Sequence, residues 1–169
     1  GIYGKDYTYR ELSPEEMAKV VMGNHDPEFV ATARSGDVLV GGWNFGTGSS
    51  REQAATALQA KGIRLVIAGS FSQTYLRNAY NNGLMCIACP SFVSHLRQKY
   101  QERIDEGVPT IVPESGVLVD FRAGQLSFED LSFSFPALGQ VPQELVVNGG
   151  IEPLIRRRLR LNGADAATS

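Results

Sequence analysis

The stretch Gly41-Gly42-Trp43-Asn44-Phe45-Gly46-Thr47-Gly48-Ser49-Ser50-Arg51-Glu52 decides how the rest of the chain is read. It follows the run Asp37-Val38-Leu39-Val40, which predicts a buried strand. It precedes a segment carrying Ala54, Leu58 and Ala60, which predicts a helix from about Ser50 to Lys61. In α/β proteins ligands sit at the carboxyl ends of strands, in loops placed like this one. Gly46 and Gly48 allow positive φ and let the backbone approach a ligand closely. Ser49, Ser50 and Arg51 fall in the first helical turn, where N–H groups lack intrahelical partners and can hold an anion.

Working outward, Gly62 supplies a helix stop and Ile63 to Ala68 reads as a second buried strand. Phe71 to Asn81 predicts a second helix, stopped at Gly83, and Leu84 to Ala88 a third strand before Pro90. Strand–helix–strand–helix–strand is the rhythm of parallel crossover units. Upstream, Ser13-Pro14-Glu15-Glu16 has the form of a capping box with proline in the first turn. Met17, Val20 and Val21 then give an amphipathic stripe ending near Gly23-Asn24, and Phe29 to Arg34 predicts a short further helix. Downstream, a helix is expected over Phe92 to Glu106, and a hairpin joins Gly116–Phe121 to Gln125–Phe128 across Arg122-Ala123-Gly124. Helices over Leu138–Asn148 and Pro153–Leu161 meet at Gly149-Gly150. The expected fold is α/β: a mainly parallel central sheet flanked by helices, with a C-terminal hairpin plus helices. Residues 1–161 are expected to form one domain, and the small polar segment 162–169 a flexible tail.

The composition narrows the function. A chain of 169 residues with 43% hydrophobic and 20% charged residues is globular rather than disordered. Its longest apolar runs, such as Leu65-Val66-Ile67-Ala68, are far short of the roughly 20 residues of a membrane-spanning helix. Sixteen basic against eighteen acidic residues give a net charge of −2, so no global field draws in nucleic acid, and an anionic ligand needs a local site. Two cysteines argue against a disulfide scaffold. No leader pattern opens the chain at Gly1, so its compartment is not written there.

Two readings of the central loop compete. Ser49 with Glu52 three residues on is a capping box, which needs no ligand at all. The glycines and serines fit that reading and an anion site equally. The loop is not a Walker phosphate loop, because no Gly-Lys-Ser/Thr follows at the required spacing, and it lacks the third glycine of a dinucleotide fingerprint. Arg51 tips the balance: a cation in the first turn opposes the helix dipole, and its fork suits a carboxylate or phosphate.

Asn44-Phe45-Gly46-Thr47-Gly48-Ser49-Ser50-Arg51-Glu52 resembles the Asn-(Phe/Tyr)-Gly-x-Gly-Ser-Ser-Arg-Glu motif of the swivelling domain of the aconitase superfamily. The similarity runs on through Gly62-Ile63, Ser70-Phe71, Arg77-Asn78 and Gly83-Leu84 to Cys89-Pro90. It also reaches back to Tyr7-Thr8-Tyr9-Arg10. That opening, with Glu11-Leu12 and the Pro14 helix, is most similar to the C-terminal domains of fungal homoaconitases. The resemblance implies a 4Fe-4S-dependent hydro-lyase that interconverts homoisocitrate and cis-homoaconitate in the α-aminoadipate route to lysine, in mitochondria. Isopropylmalate isomerase, aconitase and a non-catalytic anion-binding module are the alternatives.

By resemblance, Ser49 is the catalytic base, Ser50 and Arg51 bind the alkoxide and a substrate carboxylate, and Arg10 holds the variable group of the substrate. An arginine suits a carboxylate-bearing group better than an isopropyl one. Tyr7, Thr8 and Tyr9 would shape that loop. The 4Fe-4S cluster, a Lewis acid without redox duty, is expected on partner domains of the same enzyme and not on this chain. Each unit by which an alcohol's pKa is lowered takes about 1.4 kcal/mol, and a helix end supplies at most ~2 kcal/mol. This domain is therefore expected to be inactive alone, its partners being the cluster-bearing domains and a small tricarboxylate, with no nucleic acid and no membrane. An Asn-x-Asp-Thr-Asp segment of many members is missing before Tyr7, so the domain is expected to be truncated at its N-terminus.

Other features are read as structural. Cys86 and Cys89 form a C-x-x-C, but residues three apart in a strand point to opposite faces, so core thiols are expected. His25 and His95 show no partner in the sequence, and Arg77 fits a cleft or a surface pairing equally. Arg156-Arg157-Arg158-Leu159-Arg160 reads as a solvated or partner-facing surface.

Overall fold

The computed structural model describes residues 2–4, 7, 11–48 and 52–157. In chain order the elements are α1 (Pro14–Val20), α2 (Phe29–Thr32), β1 (Val38–Val40), α3 (Gln53–Lys61), β2 (Leu65–Ala68), α4 (Gln73–Asn81) and β3 (Met85–Ala88). There follow α5 (Pro90–Lys99), α6 (Gln101–Asp105), β4 (Val117–Asp120), β5 (Gln125–Phe128), β6 (Leu131–Ser134) and α7 (Gln140–Val147), and residues 151–157 are again helical. β1, β2 and β3 form a parallel sheet in that order, and β4, β5 and β6 a separate antiparallel one.

The expected α/β architecture is present, and the two-residue period of the strands explains its layering. Leu39, Val66 and Cys86 face one core, with Ala54, Ala55, Ala57 and Leu58 of α3, Tyr75 and Ala79 of α4, and Phe29 of α2. Their neighbours Val38, Val40, Leu65, Ile67 and Ile87 face a second core, shared with Phe92 of α5 and with Leu126 and Phe128 of the antiparallel sheet. The parallel sheet is thus the wall between two cores. β2, its middle strand, is buried along its whole length.

Local signals set most of the boundaries. Ser13 caps α1 through the expected box, its Oγ accepting from the Glu16 N–H at 3.3 Å while Glu16 accepts from the Ser13 N–H at 2.8 Å. Those bonds to Ser13 hold the Glu16 carboxyl below its ordinary range. Gly62 ends α3 at φ +96°, a conformation that L side chains resist.

Several expectations need correction. α1 stops at Val20 rather than near Gly23: Val21 is fully buried, and the N–H of Met22, at φ +62°, is taken by the carbonyl of Ile2 at 2.8 Å. The single helix expected over 92–106 begins two residues earlier, with Pro90 in its first turn, and bends at Tyr100 (φ −109°, ψ 21°) into α5 and α6. The expected hairpin has a third strand, β6, joined to β5 by Glu129-Asp130 with Glu129 at φ +53°. That turn lacks the Asn-Gly or Asp-Gly signature of two-residue hairpins, so no local signal announced it. His25 has a partner after all: its Nε2 lies 2.8 Å from the Pro109 carbonyl oxygen.

Candidate functional site

The loop Gly41–Gly48 leaves the carboxyl end of β1 and is bonded to the exit of β2. Gly41 N–H donates to the Ile67 carbonyl at 2.8 Å and Gly69 N–H to the Gly42 carbonyl at 3.0 Å. The pairing then continues past the strands proper, with Phe45 bridging Phe71 in parallel register. Phe45 N–H donates to the Ser70 carbonyl and Ser72 N–H to the Phe45 carbonyl, both at 2.9 Å. This bridge explains why α4 starts at Gln73 instead of Phe71: the backbone of Phe71 is still extended alongside Phe45.

Three rings are fitted against glycines. A Cβ on Gly46 would lie 2.3 Å from Cγ of Tyr75, one on Gly41 2.3 Å from the Phe45 ring, and one on Gly69 2.8 Å from the Trp43 ring. Phe45 meets Phe71 and Tyr75 edge-on at centroid distances of 5.9 and 5.3 Å, while Phe71 and Tyr75 lie parallel at 6.2 Å. The loop therefore rests on an aromatic floor with Tyr75 wholly buried. Burial, with the Cys86 thiol nearby, pushes the Tyr75 hydroxyl far above its ordinary pKa, so it stays neutral as part of the core.

Above that floor the chain turns sharply. Asn44 takes φ +53°, and its carbonyl accepts from Thr47 twice, from the N–H at 3.1 Å and from Oγ1 at 2.6 Å. Gly46 and Gly48 follow at φ +81° and +88°, as the sequence required. The description resumes at Glu52, the N-cap of α3, so this helix begins at Gln53 rather than near Ser50 as the sequence predicts, and its first turn carries no cation.

Of the residues expected to do chemistry, Ser49, Ser50, Arg51, Arg10, Thr8 and Tyr9 lie outside the described residues. Tyr7 is described: half-buried, in a turn closed by its N–H on the Gly4 carbonyl at 3.1 Å, with its ring 6.3 Å from that of Tyr3. Arg77 is exposed on α4 and forms no ion pair among the described residues. Arg156 pairs with Glu152 at 2.6 Å and Arg157 donates to Asn148 at 3.1 Å, so this part of the basic run has surface partners.

The structure adds two contacts of the loop, one from Ser70, which the resemblance included without a role, and one from Arg97, which the sequence reading did not single out. Ser70 holds Asn44 from across the sheet end: its Oγ accepts from the Asn44 N–H at 2.8 Å and donates to Asn44 Oδ1 at 3.4 Å. The guanidinium of Arg97 lies 5.6 Å over the exposed Trp43 ring, beside a shallow depression also lined by Ser94, Gln98 and Gln101. Both contacts join residues far apart in the chain, so neither pairing could be read from local sequence.

An iron–sulfur cluster needs thiolates that converge on one point. Cys86 and Cys89 diverge, one into each core, and burial raises the Cys86 thiol well above its ordinary pKa. Among the described residues no three of His, Cys, Asp and Glu come together in a way that could hold a metal. These residues do not fit a cluster.

Residues 9–91 match the family described as the aconitase C-terminal domain. The mitochondrial homoaconitase of Candida glabrata is 44% identical over 169 aligned positions, which cover 94% of this chain and 24% of that protein. The mitochondrial homoaconitase of Kluyveromyces lactis is 40% identical, with 94% and 24% covered. That of Cryptococcus neoformans is 41% identical, with 94% and 26% covered. The chain thus spans about a quarter of the length of the curated relatives it matches. The crystal structure of 3-isopropylmalate dehydratase from Methanocaldococcus jannaschii matches with a TM-score of 0.80 and 29% identity, over 97% of this chain and 89% of that one.

Proposed function

We propose that the chain belongs to the aconitase superfamily and is the swivelling domain of a homoaconitase, a hydro-lyase that interconverts homoisocitrate and cis-homoaconitate in lysine biosynthesis. In this reading Ser49 takes the proton from the substrate carbon. Ser50 and Arg51 hold the alkoxide and one carboxylate. Arg10, in the loop with Tyr7, Thr8 and Tyr9, receives the variable carboxylate-bearing arm. The 4Fe-4S cluster sits on the domains outside this chain, and the enzyme works in the mitochondrion, as its named relatives do.

One observation carries the reading. The loop that leads to Ser49 is seated at the carboxyl end of a parallel sheet, bonded to the exit of the next strand and backed by rigid rings. A positioned group is worth far more to catalysis than the same group on a mobile tether. The sequence similarity supports the substrate: identity to the matched homoaconitases is 37–44%, against 29% to the isopropylmalate enzyme.

The test uses the full-length enzyme. Ser49→Ala is expected to lower kcat by about 10²–10⁴ while leaving KM within a small factor, as for loss of a positioned acid–base group. A variant that keeps the parent rate would instead make this an anion-binding module without chemistry. Arg10→Leu is expected to raise KM for homoisocitrate. Unchanged turnover of homoisocitrate in that variant would remove Arg10 from the site, and a preference of the parent enzyme for isopropylmalate would move the specificity to the isomerase branch.

A further inference from the structure

We infer that Ser70 is a positioning residue for the Ser49 chemistry, its hydroxyl acting as the latch that fixes the Asn44 turn, which precedes the catalytic segment in the chain; this rests on the function proposed above. Ser70 stands at the exit of β2, 26 residues from Asn44 in sequence. It takes two consecutive N–H groups of the loop with two different atoms. Its Oγ accepts from Asn44 at 2.8 Å and its carbonyl accepts from Phe45 at 2.9 Å. The same hydroxyl donates its own proton toward Asn44 Oδ1 at 3.4 Å, so the side chain of Asn44 is held as well as its backbone.

The latch is needed because of what Asn44 is asked to do. Its φ of +53° lies in the left-handed region, which asparagine enters more readily than other non-glycine residues, and the contacts on both of its sides select that conformation here. Thr47 grips the carbonyl side of Asn44 through its N–H and Oγ1. Ser70 grips the amide side. With both sides of Asn44 held and Gly46 seated on the Tyr75 ring, the turn is fixed along its described length, and Ser49 follows five residues after Asn44 in the chain.

Asn44 is exposed and Ser70 half-buried, so water can replace the Ser70 hydroxyl if it is removed. Such an exchange leaves the fold standing and frees the direction of the turn. The bond therefore contributes geometry more than stability, which is what separates a positioning residue from a structural one. The backbone half of the contact, through the Ser70 carbonyl, survives any side-chain substitution and keeps the loop attached.

The full-length enzyme carrying Ser70→Ala, Ser70→Thr or Ser49→Ala supplies the test, with turnover of homoisocitrate, thermal midpoint and amide hydrogen exchange over residues 43–52 measured for each. In Ser70→Ala, kcat is expected to fall by about 10–100-fold with the thermal midpoint unchanged, the size of effect that a displacement on the order of 1 Å produces. Exchange at Asn44 and Phe45 should quicken, and Ser70→Thr, which keeps the hydroxyl, should recover most of the rate and the slow exchange. Unaltered kcat in Ser70→Ala, or a threonine variant as impaired as the alanine one, overturns the inference. If Ser49→Ala keeps the parent rate, the functional reading fails on its own, and the latch is then decided by exchange: no acceleration at residues 44–45 in Ser70→Ala refutes it.

Discussion

Replacing Gly46 by alanine puts the most direct strain on the site, and its size can be worked out by comparison with Gly48. Both glycines sit at positive φ, +81° and +88°, so each substitution carries the left-handed backbone penalty of about 1–2 kcal/mol. They differ in space. A Cβ on Gly48 meets nothing within 4 Å, whereas one on Gly46 lands 2.3 Å from Cγ and 2.4 Å from Cβ of Tyr75. Tyr75 cannot swing aside, being wholly buried between Phe45 and Phe71, and the contacted atoms are the root of its side chain. Overpacking of that kind adds about 1–3 kcal/mol, giving a total of about 2–5 kcal/mol for Gly46→Ala against about 1–2 kcal/mol for Gly48→Ala. Set against a typical stability of about 5–15 kcal/mol, the first change is severe and the second tolerable. Urea unfolding of the two variants of this chain measures the difference. At about 2–4 °C per kcal/mol for a chain of this size, the thermal midpoints should part by several degrees. Equal losses in the two variants would refute the claim that the loop is seated on the Tyr75 ring.

Further outcomes concern the helix cap and the thiols. Ser13→Ala should destabilise the chain by about 0.5–2 kcal/mol at neutral pH through loss of the α1 cap. Glu16 is held below its ordinary value of 4.5 by its bonds to Ser13, so the unfolded chain takes up that proton first. The stability linked to ionised Glu16 is complete above the unfolded pKa and disappears as pH falls through the lower folded one. The gap between parent and Ser13→Ala in urea melts should therefore narrow below about pH 4.5, and a gap constant down to pH 3 would count against the carboxylate's share in the cap. Cys86 and Cys89 are 1% and 0% exposed, and burial raises the Cys86 thiol, so a thiol reagent should modify them only when the chain opens. Rapid stoichiometric labelling in native buffer would contradict that placement.

Much of this protein was legible in its residues. The Ser13 cap, the Gly62 stop and the turns at Gly46 and Gly48 depend on interactions within a few positions, and local chemistry is what a sequence states openly. The strand–helix alternation from Val38 to Ala88 likewise follows from periodicity, and with it the placing of the Ser49 loop after a strand. The opposite facing of Cys86 and Cys89 came from the two-residue period of a strand alone.

What the tertiary structure decided depends on partners distant in the chain. Periodicity says that Val66 and Ile67 point opposite ways, but only the packing of α3 and α4 on one side and the antiparallel sheet on the other says which core each enters. α1 ends early because Ile2 offers a carbonyl to Met22, and Phe71 is withheld from α4 because it pairs with Phe45. The grip of Ser70 on Asn44 spans the mouth of the sheet and leaves no mark in either segment. Composition, capping and period are properties of neighbours in sequence, whereas register, layering and the aim of a loop are set by surfaces that meet only once the chain has folded.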